Sequence, residues 1–412
     1  MSTAVVRRAL LASGLLLAVC GLGARGAAQT RTLPAAPGTW KVWKPMSTTG
    51  DSRQSRGATP AMVKAFETEL VALNTILRRA QGVAAPVGFS VETWGHLDSY
   101  PAPTATQPAG RSLPLAGGLT FGAFPIFEYE RAGKMIREDT GETALMSFNV
   151  NELEWPLYGG SKITDWGSVN TEAFLQPVTG TPIAGLPRYG DALVIAKNSA
   201  PLWIPLPFAA ALDVVAMARH EVVESYQESV AAVTTRLAGL RDPTKRAARL
   251  ASAKAAAATM PNGDAFLAQM QQAWKIEEDQ AVLEIGPTGG TGKGLAESTR
   301  ALNDVTSWLA DTSPADRAAP ACYVTAAPSL RGRFRHGTEA GCVPIVTPNY
   351  KVFNATAARS AAQVVLITPI ARCFDTANTH NLEANSTSPA GCSANRKLVQ
   401  TMDVEAIKAW LK

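Results

Sequence analysis

The chain has 412 residues, 46% hydrophobic and 18% charged, which is a globular composition with enough apolar material for a substantial core. Its formal charge of +5 falls to +2 once Arg7, Arg8 and Arg25 leave with an N-terminal leader. A near-neutral chain has no global electrostatic reason to seek nucleic acid, so that class of partner is set aside.

The predicted elements begin with a targeting segment over residues 1–28. Arg7 and Arg8 precede the apolar run Ala9–Leu22, and Gly26-Ala27-Ala28 offers small residues before a cut after Ala28. The run is too short to span a bilayer, and no later segment reaches about 18 apolar residues. The expectation is an exported protein, periplasmic or secreted, with no transmembrane span. Leu17-Ala18-Val19-Cys20 imitates a lipoprotein box, but Val19 stands where Gly, Ala or Ser is usual. Plain cleavage is therefore preferred to a lipid anchor on Cys20.

Residues 29–58 read as an extended arm, with Trp40, Val42 and Trp43 pinned to the body. An α+β body follows over 59–206. Thr59-Pro60 opens a helix whose stripe is Met62, Phe66, Leu70, Leu73 and Leu77, and Gly82 closes it. Val87, Phe89, Val91 and Thr93 alternate as on a half-buried strand. Pro101–Pro114 is a surface loop by composition. Leu119–Tyr129 is strand-like, and Pro125 inside it argues for an edge or a bulge. Met146, Phe148 and Val150 mark one face of another strand. The stretch from Trp155 to Tyr189 is dense in aromatics, and Trp155, Tyr158, Trp166 and Tyr189 form a candidate binding surface. Leu193-Val194-Ile195 and Leu202-Trp203-Ile204-Pro205, joined at Lys197-Asn198-Ser199, read as a β-hairpin.

A helical insertion is expected over 207–311. Phe208, Leu212, Val215, Val222, Tyr226, Val230, Val233 and Leu237 recur at steps of three and four, with Arg219 in the one polar slot. At ~1.5 Å per residue this helix runs roughly 45 Å, from Pro207 at its first position to an end marked by Gly239 and Asp242-Pro243. An Ala-rich helix to about Thr259, a third carrying Phe266, Met270 and Trp274, and a fourth over Leu295–Leu309 complete a helical hairpin or bundle. Residues 312–412 return to strands, at Pro344-Ile345-Val346 and Gln363–Ile367, before a closing helix over Asp403–Leu411. The fold class is thus α+β: a mixed or antiparallel sheet, a long helical insertion and a disulfide-stabilised C-terminal part packing on the body.

After loss of Cys20, four cysteines remain, all in the last quarter of the chain. In an exported protein they read as two disulfides. The pairs Cys322–Cys342 and Cys373–Cys392 are preferred, since each closes a short polar loop ending in Ala-Gly-Cys.

Leu202-Trp203-Ile204-Pro205-Leu206 feeding a long helix is similar to a pattern in uncharacterised exported bacterial proteins. So is Pro348-Asn349-Tyr350 through Phe353-Asn354, followed by Ala361-Ala362-Gln363. The resemblance implies export and carries no site residue.

Four local patterns imitate chemistry. His220-Glu221-Val222-Val223-Glu224 approaches the H-E-x-x-H zinc helix, with Glu224 as the second ligand. Its two end residues lie opposite Val222, so a solvated face is the expected role and no metal is favoured there. Gly286–Gly294 imitates a phosphate loop, one residue too long and with Gly294 in place of the hydroxyl residue, and reads as an inter-helix loop. Arg236, Arg241, Lys245, Arg246, Arg249 and Lys254 form a basic run that could meet an anionic cell-envelope partner, although a solvated helix face is the commoner outcome. The cysteines with His336 and His380 lack compact zinc spacing. No cofactor is expected. The function read from these features is a non-catalytic binding or assembly protein; the alternative is a secreted hydrolase using carboxylates or a metal near His220.

Overall fold

The computed structural model describes residues 31–47, 58–98, 113–139, 144–153, 163–167, 173–337, 341–369, 371–374 and 389–412. The expected leader, Cys20, Trp155, Tyr158 and His380 lie outside these residues. The fold is α+β, with sheets that are antiparallel apart from the parallel pairing of Lys44–Ser47 with Phe89–Leu97, a long helical region and two disulfides in the C-terminal part.

The arm supplies β1 (Arg31–Thr32) and β2 (Lys44–Ser47). Trp40 and Trp43 pack against the main core, and Trp40 Nε1 donates to the Val83 carbonyl at 2.7 Å. Val42 is 85% exposed, so it does not pin the arm; buried Met46 joins the tryptophans in the core instead. Helix α1 (Pro60–Leu77) opens as expected, with Thr59 Oγ1 accepting from Met62 N and Pro60 in the first turn. It buries Val63, Phe66, Leu70, Leu73 and Leu77. Gly82 does not close it. Gly82 sits in the next turn, α2 (Gln81–Ala84), where an added Cβ would lie 2.7 Å from Lys397 Cβ; the glycine permits close helix contact.

The strands follow in order: β3 (Phe89–Leu97), β4 (Gly117–Pro125), β5 (Phe127–Arg131), β6 (Lys134–Glu138), β7 (Ala144–Val150), β8 (Phe174–Leu175), β9 (Thr179–Ile183), β10 (Leu186–Tyr189), β11 (Ala192–Ala196) and β12 (Trp203–Pro205). The expected strand over Leu119–Tyr129 is two strands in two sheets. Pro125 ends the central strand β4, opposite Phe89, where a missing N–H costs little. Ile126 then bonds to Gly88 and Leu33, and β5 joins β1 and β6 in a separate three-stranded sheet. The expected hairpin at Lys197–Ser199 does not form. β11 pairs with β10, while β12 belongs to another sheet. Both runs are apolar because each is covered by sequence-distant partners, a cause that local spacing does not carry.

Helix α3 (Phe208–Arg241) spans 34 residues, about 50 Å, with Pro207 capping it rather than occupying its first turn. Its stripe passes through Val223, and Val222 is 40% exposed. Leu212 and Val223, like Tyr226 and Leu237, are eleven residues apart; the seven-residue step that put Val222 under the stripe drifts the opposite way. Next come α4 (Pro243–Ala257), capped by Asp242, then α5 (Gly263–Ile285) and α6 (Gly290–Asp311). Arg236 meets Glu284 and Arg241 meets Glu278, so α5 runs antiparallel to α3. The glycine-rich stretch is not all loop: Gly290–Gly294 forms the first turns of α6. A Cβ at Gly294 would come 2.4 Å from the Tyr226 ring, so the glycine serves α3–α6 contact. The outer seam is thin, with Val233, Leu237 and Ala281 buried together. The root is thick: Phe208, Leu212, Val215 and Val305 join Tyr323, Phe334 and Ile345 in one core.

The C-terminal part holds α7 (Pro314–Ala318), β13 (Ala321–Tyr323), α8 (Leu330–Arg333), β14 (Phe334–His336), β15 (Val343–Pro348), β16 (Val364–Thr368), α9 (Ala371–Phe374), α10 (Pro389–Thr401) and α11 (Val404–Trp410). Cys322–Cys342 and Cys373–Cys392 are the disulfides, as expected. The main sheet has eight strands in the order β2-β3-β4-β7-β16-β11-β10-β9, so β16 lies inside it, between β7 and β11. The second sheet has the order β12-β15-β13-β14, with β8 on β15. Leu398 and Val399 from α10, Ile407 from α11 and Leu411 just after it join α1 in the core beneath the main sheet.

Candidate functional site

A cleft of about 610 Å³ opens where β10 and β11 of the main sheet approach β12 and β15 of the second. Tyr189, at the end of β10, meets Trp203, at the start of β12, with ring centroids 5.0 Å apart and planes at 73°. Trp203 Nε1 donates to the Leu153 carbonyl at 2.8 Å, which fixes the indole. Behind the rings lie Val194, Leu202, Val364 and Leu366, a small core of their own. The segment between β11 and β12 exists to cross from one sheet to the other, and it brings Asn198 and Ser199 to the rim. Asn198 Oδ1 accepts from Ala200 N at 3.2 Å, holding that turn. Gln176 and Lys408 complete the polar edge, and Lys408 is paired with Glu405 at 2.9 Å. Among the described residues lining the cleft there is no Asp, Glu, His or Cys. Such a wall can stack, hydrogen bond and exclude water.

Of the aromatic surface expected from sequence, the described members are Trp166 and Tyr189, and of these Tyr189 lies in the cleft. Trp166 is 3% exposed and packs 6.2 Å from Phe334, inside the root core, so it is no binding residue. Its burial follows from the turn Thr164–Trp166, which Asp165 ties to Arg333 and Tyr323. Trp203 was legible only as a strand residue. Its flanking prolines, Pro201 and Pro205, are the one sequence signal that it stands at a sheet edge.

His220 and Glu224 face solvent as a pair, Nε2 to Oε1 3.2 Å, with side chains 61% and 58% exposed. Among the described residues no group of three or more His, Cys, Asp or Glu stands close enough to hold a metal ion. Replacing both residues with alanine is expected to change stability by less than about 0.5 kcal/mol in urea unfolding; zinc bound by the wild type and lost in the double variant would reassign the pair.

Two clusters invisible in the sequence come together. His96 Nε2 lies 3.8 Å from Asp98 Oδ2 at the end of β3. Burial pushes the Asp98 carboxyl up, and the neighbouring His96 and Glu152 pull the other way. Ser313, Asp316 and His336 have the composition of a hydrolase triad but not its wiring. Ser313 Oγ donates to Asp316 Oδ2 at 2.8 Å and accepts from Asp316 N at 3.1 Å, the N-cap arrangement of α7. His336 Nδ1 lies 3.4 Å from Asp316, and the hydroxyl has the carboxylate rather than the imidazole as its partner.

The stretch around Trp203 and the stretch that begins at Pro348 meet beside the cleft. Trp203–Pro205 pairs with Val346–Pro348, and Asn349 Nδ2 donates to the Pro201 carbonyl at 2.7 Å. Comparisons with family models, with characterised proteins and with solved structures find no match for this chain. The geometry above therefore carries the functional argument by itself.

Proposed function

We propose that this is an exported, non-catalytic binding protein whose ligand lies in the Tyr189–Trp203 cleft. One observation carries the reading: a cleft of about 610 Å³, within the usual size for small-molecule sites, walled by the Tyr189 and Trp203 rings and lined by amides and hydroxyls, with no carboxylate or imidazole among its described lining residues and with Lys408 paired to Glu405. That lining suits an uncharged ligand with an apolar face for the rings and hydroxyl or amide groups for Asn198, Ser199 and Gln176. Export is supported by the leader pattern of residues 1–28 and by two disulfides, which persist in oxidising compartments. Among the described residues no helix is long and apolar enough to cross a membrane.

Native mass spectrometry of the protein purified from its exporting cell tests the proposal. The wild type is expected to carry a neutral small molecule, and Tyr189→Ala is expected to lose it while keeping its fold. No adduct on the wild type, or equal retention by the variant, refutes the cleft as the site.

A further inference from the structure

The outer part of the helical insertion holds a second, chemically different cavity. About 310 Å³ opens between the end of α3, the start of α4 and the middle of α5. Its floor is apolar, from Leu240, Leu250 and Trp274. Its charges do not balance. Glu278 is engaged by Arg241 Nε at 2.7 Å and by Arg246. Arg249 and Lys275 have no carboxylate partner among the described residues. The Arg249 guanidinium lies over the Trp274 ring, 5.6 Å from its centroid, and Nη2 donates to the Leu240 carbonyl at 2.8 Å. Arg249 Nε is covered and has no hydrogen-bond acceptor. A covered N–H cannot be reached from the cavity, so the donors left for a ligand there are Arg249 Nη1 and Lys275 Nζ, which have no acceptor among the described residues.

From this geometry we infer that the cavity is an anion site for a phosphate group that carries an apolar substituent. Arg249 and Lys275 supply charge and N–H donors to the phosphate, and Trp274 with Leu250 covers the apolar part. The basic run on α4 does not suffice. What makes a site is Trp274 and Lys275, brought from α5 against Arg249 by antiparallel packing. The phosphate has two possible sources with the same chemistry, a soluble organic phosphate or an anionic lipid headgroup. The second is compatible with Ile276, the neighbour of Lys275, being 47% exposed.

The full mature chain is titrated calorimetrically with phenyl phosphate and, separately, tested for flotation with phosphatidylcholine vesicles with and without phosphatidic acid. Lys275→Glu is the main variant, because Lys275 is exposed and its removal leaves no group orphaned; Trp274→Ala is the second, and circular dichroism confirms that each is folded. Saturable, salt-sensitive binding of phenyl phosphate, weakened about tenfold or more by Lys275→Glu, supports the site and a soluble source. Flotation only with phosphatidic acid, lost in the same variant, supports the site and a lipid source. Binding of neither probe overturns the inference, as does binding that both variants leave unchanged. The Tyr189–Trp203 cleft stands apart from either result.

Discussion

Asn151→Ala is expected to lower the stability of the protein by about 4 kcal/mol, read as a shift of the urea midpoint at constant slope. Asn151 follows β7 in a left-handed conformation, φ 60°, and is 1% exposed. Its Nδ2 donates to the carbonyls of Leu115 and Ala361 at 2.9 and 2.8 Å. Its Oδ1 accepts from Gln363 N at 2.7 Å and from Val364 N at 3.4 Å. One side chain thus satisfies backbone groups from two distant segments, at Leu115 and at 361–364, and alanine would orphan them where water does not reach. Alanine also dislikes the positive φ, so Asn151→Gly should be less damaging than alanine by about 1 kcal/mol. Asn151→Asp would set a carboxylate against two carbonyls and should match or exceed the alanine loss. A loss below about 1 kcal/mol for alanine would show that the backbone groups find other partners.

The second large effect is expected at Asp165. Its carboxylate takes Arg333 Nε and Nη2, each at 2.8 Å, and the Tyr323 hydroxyl at 2.9 Å. The Asp165 side chain is 8% exposed and that of Arg333 23%. Asp165→Ala leaves a half-sheltered guanidinium and a phenol without their acceptor, at a cost of about 3 kcal/mol. Tyr323→Phe removes one bond and nothing charged, and should cost about 1 kcal/mol. Because Asp165 anchors the turn that buries Trp166, near-ultraviolet circular dichroism should change in Asp165→Ala and stay close to wild type in Tyr323→Phe.

What the sequence made legible was local and periodic. The stripe of α1, the length of α3 and the parity of four cysteines after the leader each have a cause within a few dozen residues. Val222 was misplaced because two helical spacings, seven and eleven, fit the same run, and helix packing decides between them. Helix α10 went unseen because its buried Ala394, Asn395 and Leu398 make too short and too polar a stripe to read. The cleft was harder still. Tyr189, Asn198, Trp203 and Lys408 come from four elements, and only the sheet order brings them together. Trp166 looked available because aromatic density signals burial and binding alike. Asn151 gave no signal at all, since an isolated asparagine after a strand is ordinary turn chemistry.

The place of β16 sets an order of events for the making of the protein. Between Val150 of β7 and Ala192 of β11 the main sheet lacks its middle until residues 364–368 have been synthesised. Until then a nascent chain presents two open rows of N–H and C=O groups, each a template for pairing with another molecule. Closing the gap requires contacts across some two hundred residues, which is slow. Under the export proposed above, such a delay would keep the chain translocatable, because no truncated or half-translocated form can complete the sheet. A stop anywhere before Val364 should yield insoluble material rather than a smaller folded product.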